Sequence, residues 1–431
     1  MNSIDNIVYP LATTTWDESE LKAIHRVIAN GVYSMNKEVF ACEKQFAKYT
    51  GSKYAVMVSS GSTANLIMTA ALFYKKERPL KSGDEIIVPA VSWSTTYFPL
   101  YQYGLKLKFV DIDLESLNYD LKALEKAITA KTKAIMVVNL LGNPNDFTQI
   151  KKIIKNKNIY LIEDNCESMG ATFEKKQTGT FGVMGTFSCF FSHHISTMEG
   201  GFVVTDDEEL HHILLCLRAH GWTRNLPKFN KVTGEKSDDP FVESFKFVLP
   251  GYNVRPLEMS GAIGQEQIAK LPQFVEERRK NAVQFQKQFK NHEHFIIQKE
   301  IGQSSWFGFS FVLRNQSPIQ RSDLIKLLMS NGIECRPIVT GNFAKNSVLK
   351  WMKYEINGEL KNADQIDSRG FFVGNHHYPM TDAIKKLKSI MDDSLLLLGR
   401  KSKATKAKVS PNVSKKPTTK PKERSQRRTV N

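Results

Sequence analysis

Apolar residues along this chain fall into two kinds of pattern. In Glu20-Leu21-Lys22-Ala23-Ile24-His25-Arg26-Val27-Ile28 they recur at helical spacing. In residues 54–58, 86–88, 107–111, 134–139, 159–164 and 201–205 they form short unbroken blocks rich in Val, Ile and Leu. Blocks of that length predict buried strands, the one at 86–88 ending at Pro89. Helical runs lie between them, such as Asn65-Leu66-Ile67-Met68 after Ser59-Ser60-Gly61-Ser62-Thr63-Ala64. Strands alternating with helices predict a mostly parallel sheet covered on both faces. After about Pro256 the pattern changes. A helical stretch from Met259 to Leu271 leads into a mixed region, where residues 307–312 alternate like an antiparallel strand. The expectation is an α/β protein in three parts: a large domain over residues 1–255 that includes the N-terminal segment, a smaller C-terminal α/β domain over 256–398, and a tail over 399–431. The chain shows no internal repeat.

Composition narrows the class. At 431 residues, 41% hydrophobic and 24% charged, the chain is ordinary for a globular protein with a large core. No apolar run approaches the ~18 residues of a membrane span. The start, Met1-Asn2-Ser3-Ile4-Asp5-Asn6, lacks the basic-then-apolar pattern of a secretory signal. Cys42, Cys166, Cys189, Cys216 and Cys335 are scattered, with no CxxC. That spacing argues against zinc, an iron–sulfur cluster or a disulfide framework and fits a reducing cytoplasm. The net charge is +16, but from Arg400 onward twelve Lys/Arg stand against Glu423 alone, which leaves +5 for the preceding residues. The tail holds Lys, Ser, Thr and Pro with almost nothing apolar, a composition that predicts disorder. It reads either as a solvated extension or as a contact for nucleic acid or another anionic polymer.

In open parallel sheets ligands sit beyond the carboxyl ends of strands, and several polar groups fall there. Ser59-Ser60-Gly61-Ser62-Thr63, between a strand and a helix, suits a phosphate, though a plain helix cap has the same composition. Trp93 follows the 86–88 block and reads as a stacking surface for a flat ring or as core. Asp164 ends a very apolar strand, where its carboxylate could pair with a protonated ring nitrogen or cap the next helix. Ser188 offers a second phosphate donor, and Glu199-Gly200-Gly201 allows close backbone approach. Between them lie His193 and His194. Together these parts describe a pocket for a phosphorylated pyridine.

Ser60-Gly61-Ser62-Thr63-Ala64, Glu163-Asp164-Asn165, Ser188 with Glu199-Gly200-Gly201, and Gly251-Tyr252-Asn253-Val254-Arg255 resemble the nucleotide-sugar aminotransferase family from about Tyr9 to Leu398. The resemblance implies the aspartate aminotransferase-like fold (fold type I) and a vitamin B6 cofactor. Family members usually carry a lysine where this chain has His193, and the departure is the one made by the 3-dehydratase branch. A lysine anchors the cofactor covalently; a histidine cannot, but it moves protons near neutral pH. The implied cofactor is therefore pyridoxamine 5'-phosphate, interconverting with pyridoxal 5'-phosphate and not anchored by lysine. The resemblance further implies that Gly61, Ser62 and Ser188 hold its phosphate, with Asn253 reaching in from the partner of a homodimer. Trp93 stacks on the ring, Asp164 pairs with its nitrogen and Glu167 supports it. His220, Arg224, Glu334 and Arg336 line the sugar-nucleotide site, and His193 is the catalytic base. The implied reaction removes the 3-hydroxyl of a GDP-4-keto-6-deoxy sugar with release of ammonia, and L-glutamate restores the cofactor. Two other readings stand beside it: a nucleotide-sugar 4-aminotransferase, and a scaffold that binds nucleic acid through its tail.

Overall fold

The computed structural model describes residues 7–408. Its centre is an eight-stranded sheet. In spatial order the strands are Tyr54–Val58, Gly201–Thr205, Met184–Ser188, Tyr160–Asp164, Thr132–Val138, Glu85–Pro89, Lys106–Val110 and Tyr354–Ile356. Only Gly201–Thr205 runs against its neighbours; the rest are parallel to one another. Most of these strands are buried along their length, as the unbroken apolar blocks require. Helices Gly61–Phe73, Ser94–Gln102 and Glu208–Arg218 pack on one another or on this sheet.

The helix Glu258–Phe289 is more than twice the length that the pattern from Met259 to Leu271 predicts, and it runs through Pro272. It links the large sheet to a second core, built on the antiparallel strands Phe295–Ile297, Gly308–Leu313 and Gly370–Gly374. There Phe285, Phe289, Phe295, Trp306, Phe309, Phe311 and Phe371 close a dense aromatic cluster.

The packing redraws the expected three-part division. Tyr9 belongs to the smaller core, with its ring 1% exposed and its hydroxyl donating to Gly374 O at 3.0 Å. The N-terminal segment therefore docks on the C-terminal domain. In the other direction, Phe343, Leu349, Met352, Leu360 and Ile366 pack into the large core, and Tyr354–Ile356 pairs with Lys106–Val110. The boundary at 399 moves as well, because one helix spans Thr381–Lys408. Residues 409–431, the rest of the expected tail, lie outside the described residues. Among the described residues no helix is long and apolar enough to cross a membrane.

Candidate active site

The carboxyl ends of the parallel strands open into one cavity of about 520 Å³. It brings together Gly61, Ser62, Trp93, Asp164, Glu167, Ser188, His193 and Arg336 from separate parts of the sequence. No lysine is among the residues lining it.

One end of the cavity is built at the start of helix Gly61–Phe73. Ser60 caps that helix, its side chain accepting from Thr63 N while the Thr63 hydroxyl closes back on Ser60 N. Gly61 and Ser62, in the first turn of this helix, line the cavity together with Ser188, and the first turn of a helix suits an anion. Gly61 has to be glycine. A Cβ there would come 2.6 Å from Ser188 Cβ and 2.9 Å from Cys166 Sγ. Ser62 Oγ donates to Thr95 Oγ1 at 3.0 Å, tying this turn to the start of helix Ser94–Gln102, which Trp93 precedes. Trp93 is 57% exposed on the cavity rim, so it is not a core residue.

Asp164 ends its strand 5% exposed. Its Oδ2 accepts from Asn65 Nδ2 at 2.8 Å and from Thr96 Oγ1 at 2.7 Å, and its Oδ1 accepts from Cys166 N at 3.2 Å. Three donors fix the carboxylate without adding a cation, so its charge remains available to a positive group in the cavity. Glu167 Oε2 accepts from Leu141 N at 3.0 Å. Burial raises the Glu167 carboxyl to about 7, and the neighbouring Asp164 charge pushes the same way against that N–H. Near neutral pH Glu167 therefore holds its proton much of the time.

The geometry separates the two histidines. His194 is fully buried, with Nε2 at 3.1 Å from Ser305 O, and it does not line the cavity. His193 does line it, its ring edge-on to Phe307 at 5.1 Å between centroids. Its Nδ1 is buried without a partner. Burial is the chief reason that its pKa falls to about 4, which leaves the imidazole unprotonated at neutral pH.

Four expected residues lie outside the cavity lining. Glu334 accepts from Leu11 N at 2.9 Å, so it anchors the N-terminal segment, whose Leu11 borders the cavity. His220, Arg224 and Asn253 gather on another part of the surface. Ala219 bridges to Asn253, Arg224 lies over the Trp222 ring at 4.3 Å, and Arg255 Nε donates to Asn253 Oδ1 at 2.9 Å. Asn65, Phe190, Phe307 and Phe372 also line the cavity, without having stood out as candidates in the sequence. Asn65 sits one helical turn beyond Gly61, a spacing that could have revealed it; the phenylalanines carry no local signal.

A family model, the DegT/DnrJ/EryC1/StrS aminotransferase family, matches residues 14–391. The chain belongs to that family. A DegT/DnrJ/EryC1/StrS relative from Yersinia pseudotuberculosis, GDP-4-keto-6-deoxy-D-mannose 3-dehydratase, is 64% identical over 386 residues, covering 89% of this chain and 98% of its own. The solved structure of an E. coli GDP-4-keto-6-deoxy-D-mannose-3-dehydratase with bound hydrated PLP superposes with a TM-score of 0.89 at 62% identity, over 90% of this chain and 100% of that one. A GDP-4-keto-6-deoxymannose-3-dehydratase structure with a trapped PLP-glutamate geminal diamine gives 0.88 at 62% identity, over 89% and 100%. Solved members thus share the sheet, the smaller domain and the aminotransferase fold seen here.

Proposed function

We propose that this chain is a pyridoxamine-phosphate-dependent dehydratase. It converts GDP-4-keto-6-deoxy-D-mannose to GDP-4-keto-3,6-dideoxy-D-mannose and releases ammonia, with L-glutamate regenerating the cofactor. The observation that carries this reading is a cavity of the aminotransferase fold lined by His193 and by no lysine. The unspent Nδ1 of His193, the carboxylate of Asp164 and the Gly61–Ser62–Ser188 cradle all fit a phosphorylated pyridine.

When bound, the cofactor supplies an amine for the C4 ketone and a ring that accepts electrons. The residues do the rest. Gly61, Ser62 and Ser188 bind the phosphate, and Trp93 covers one face of the ring. Asp164 holds a proton on the ring nitrogen by charge. Glu167, protonated about half the time near pH 7, presents a hydrogen-bond donor to the cavity. His193, unprotonated at rest, accepts a proton at a ring nitrogen and then donates it to the departing 3-hydroxyl, since an imidazole that has acted as base can act as acid. Arg336, exposed at the mouth, offers a cation to the anionic substrate.

His220, Arg224 and Asn253 reach such a site from a second copy of the chain. Two features support a homodimer. Asn253 and Arg224 are exposed, and Val32, Tyr33, Phe40 and Leu257 leave an exposed apolar surface around the start of helix Glu258–Phe289. The five cysteines are free, as suits a cytoplasmic enzyme.

The test is product analysis by mass spectrometry with GDP-4-keto-6-deoxy-D-mannose, pyridoxamine phosphate and glutamate. The expected outcome is a 3-deoxy ketone with free ammonia; a stable 4-amino sugar would instead establish a 4-aminotransferase. His193→Asn should keep cofactor binding and lose turnover by roughly 10²-fold or more, the usual contribution of a positioned base. Undiminished 3-deoxysugar formation by that variant would remove His193 from the mechanism.

A further inference from the structure

Two hydrogen-bond chains end on one oxygen of Asp164, and each runs in a single direction. An ionised carboxylate has no proton to give, so its partners are the donors. Thr96 Oγ1, 2.7 Å from Asp164 Oδ2, therefore spends its hydrogen there. Ser92 Oγ, 2.7 Å from Thr96 Oγ1, is then the donor of that pair. On the other side Thr186 Oγ1 donates to Asn65 Oδ1 at 2.7 Å. That bond fixes which way the Asn65 amide faces, so its Nδ2 donates to Asp164 Oδ2 at 2.8 Å and to Thr95 O at 3.3 Å.

The chains come from separate elements. Asn65 lies in helix Gly61–Phe73, Thr96 in helix Ser94–Gln102 and Thr186 in strand Met184–Ser188, while Ser92 precedes the second of these helices. All four residues are at most 2% exposed. Neither chain contains a charged group, so both act on Asp164 through hydrogen bonds alone. A bond donated to a carboxylate is roughly twice as strong as the same bond to a neutral acceptor. Both chains therefore favour the ionised form of Asp164 over the neutral acid.

We infer that Asn65 and Thr96 are positioning residues for the dehydration: their two donors, converging on Asp164 Oδ2, keep the charge on this carboxylate and so keep the proton it shares with a bound pyridine ring on the ring nitrogen. The inference rests on the role proposed for Asp164. In a buried site a neutral acid beside a neutral ring is cheaper to enclose than an ion pair, unless other donors hold the carboxylate. Without Asn65 and Thr96 the proton would sit on Asp164 instead. A ring that has lost that proton accepts electrons less readily.

The experiment is ¹⁵N NMR of ring-¹⁵N-labelled pyridoxamine phosphate bound to the enzyme at pH 7.5, with no substrate present. In the wild type the ring signal should lie at the position of a protonated pyridine. Thr96→Val removes the hydroxyl and keeps the shape, and it should move the signal toward the position of a neutral ring. Asn65→Leu should do the same. Thr96→Ser, which keeps the hydroxyl, should return the signal to the wild-type position. In turnover, Thr96→Val and Asn65→Leu should each lose roughly tenfold or more in kcat with KM little changed, the scale of one hydrogen bond to a charged group. Should Asn65→Leu fail to fold, Thr96→Val carries the test, because its two side chains have the same outline. A wild-type ring signal in folded, cofactor-loaded Thr96→Val would overturn the inference and leave the chains a structural brace. An unprotonated ring in the wild-type enzyme would defeat the role proposed for Asp164 and the inference with it. The ring signal is read without substrate, so it is decided separately from the product the enzyme makes.

Discussion

The proposed cofactor cradle depends on one missing methyl group. At Gly61 a side chain would meet Ser188 Cβ at 2.6 Å, and Ser188 sits at the end of a buried strand that has little freedom to move. Gly61→Ala should therefore displace the Ser188 hydroxyl. The affinity for pyridoxamine phosphate should fall tenfold or more, which is a loss of about 1.4 kcal/mol. Binding of unphosphorylated pyridoxamine should change much less, and parallel calorimetric titrations of the two ligands test that contrast. Asp164 was legible as a candidate because a carboxylate at a strand end stands out from the apolar block before it; His193, in a turn beyond Met184–Ser188, stood out only through the resemblance to the family. The partners that make Asp164 useful were not legible. Asn65 and Thr96 lie 99 and 68 residues away in sequence, and nothing local to either announces that they converge on one oxygen.

Among the elements, those buried on both faces were the ones the pattern revealed. Met184–Ser188 escaped because its sequence, MGTFS, mixes Gly, Thr and Ser with its apolar residues, although it lies between two buried strands. Tyr354–Ile356 escaped because all three residues are exposed and only pairing with Lys106–Val110 makes them a strand. Helix Glu208–Arg218 is joined to helix Lys37–Thr50 by an ion pair that only packing could form. Arg218, 0% exposed, bonds Glu43 and also donates to Met57 O at 2.9 Å, while Glu43 accepts from Met57 N at 2.8 Å. Burial raises the Glu43 carboxyl, and Arg218 opposes that rise. Arg218→Met strands this carboxylate without its cation. The variant should lose about 3–5 kcal/mol of stability, measured by denaturant unfolding. The double variant with Glu43→Leu should recover much of it.

At the scale of the whole molecule, the contact between residues 10–13 and His376 couples stability to pH. His376 is 1% exposed; its Nδ1 lies 3.2 Å from Thr13 Oγ1 and its Nε2 3.0 Å from Pro10 O. Burial first, then Arg278, brings its pKa down to about 4, against about 6.5 in an unfolded chain. Between those values the unfolded chain binds a proton that the folded chain refuses. The contribution of His376 is therefore fully present above pH 6.5 and is lost as pH falls toward 4, by about 1.4 kcal/mol at pH 5.5. His376→Asn carries no such proton. Its stability deficit relative to wild type should shrink by about that amount between pH 7.5 and 5.5, as paired unfolding curves at the two pH values would show.

The sequence by itself determined the α/β class, the parallel sheet, and the strand ends that precede Gly61 and carry Asp164, because burial on two faces and the need for polar groups at strand termini write themselves locally. The reading of His193 as the replacement for a family lysine came from the resemblance, not from the residues alone. Tertiary structure alone decided that Tyr9 closes the C-terminal core, that Glu334 holds the N-terminal segment, and that His220, Arg224 and Asn253 lie away from their own chain's cavity. Each of these depends on contacts between residues far apart in the chain. Such contacts are fixed by how the domains pack, and no local run of residues encodes that packing.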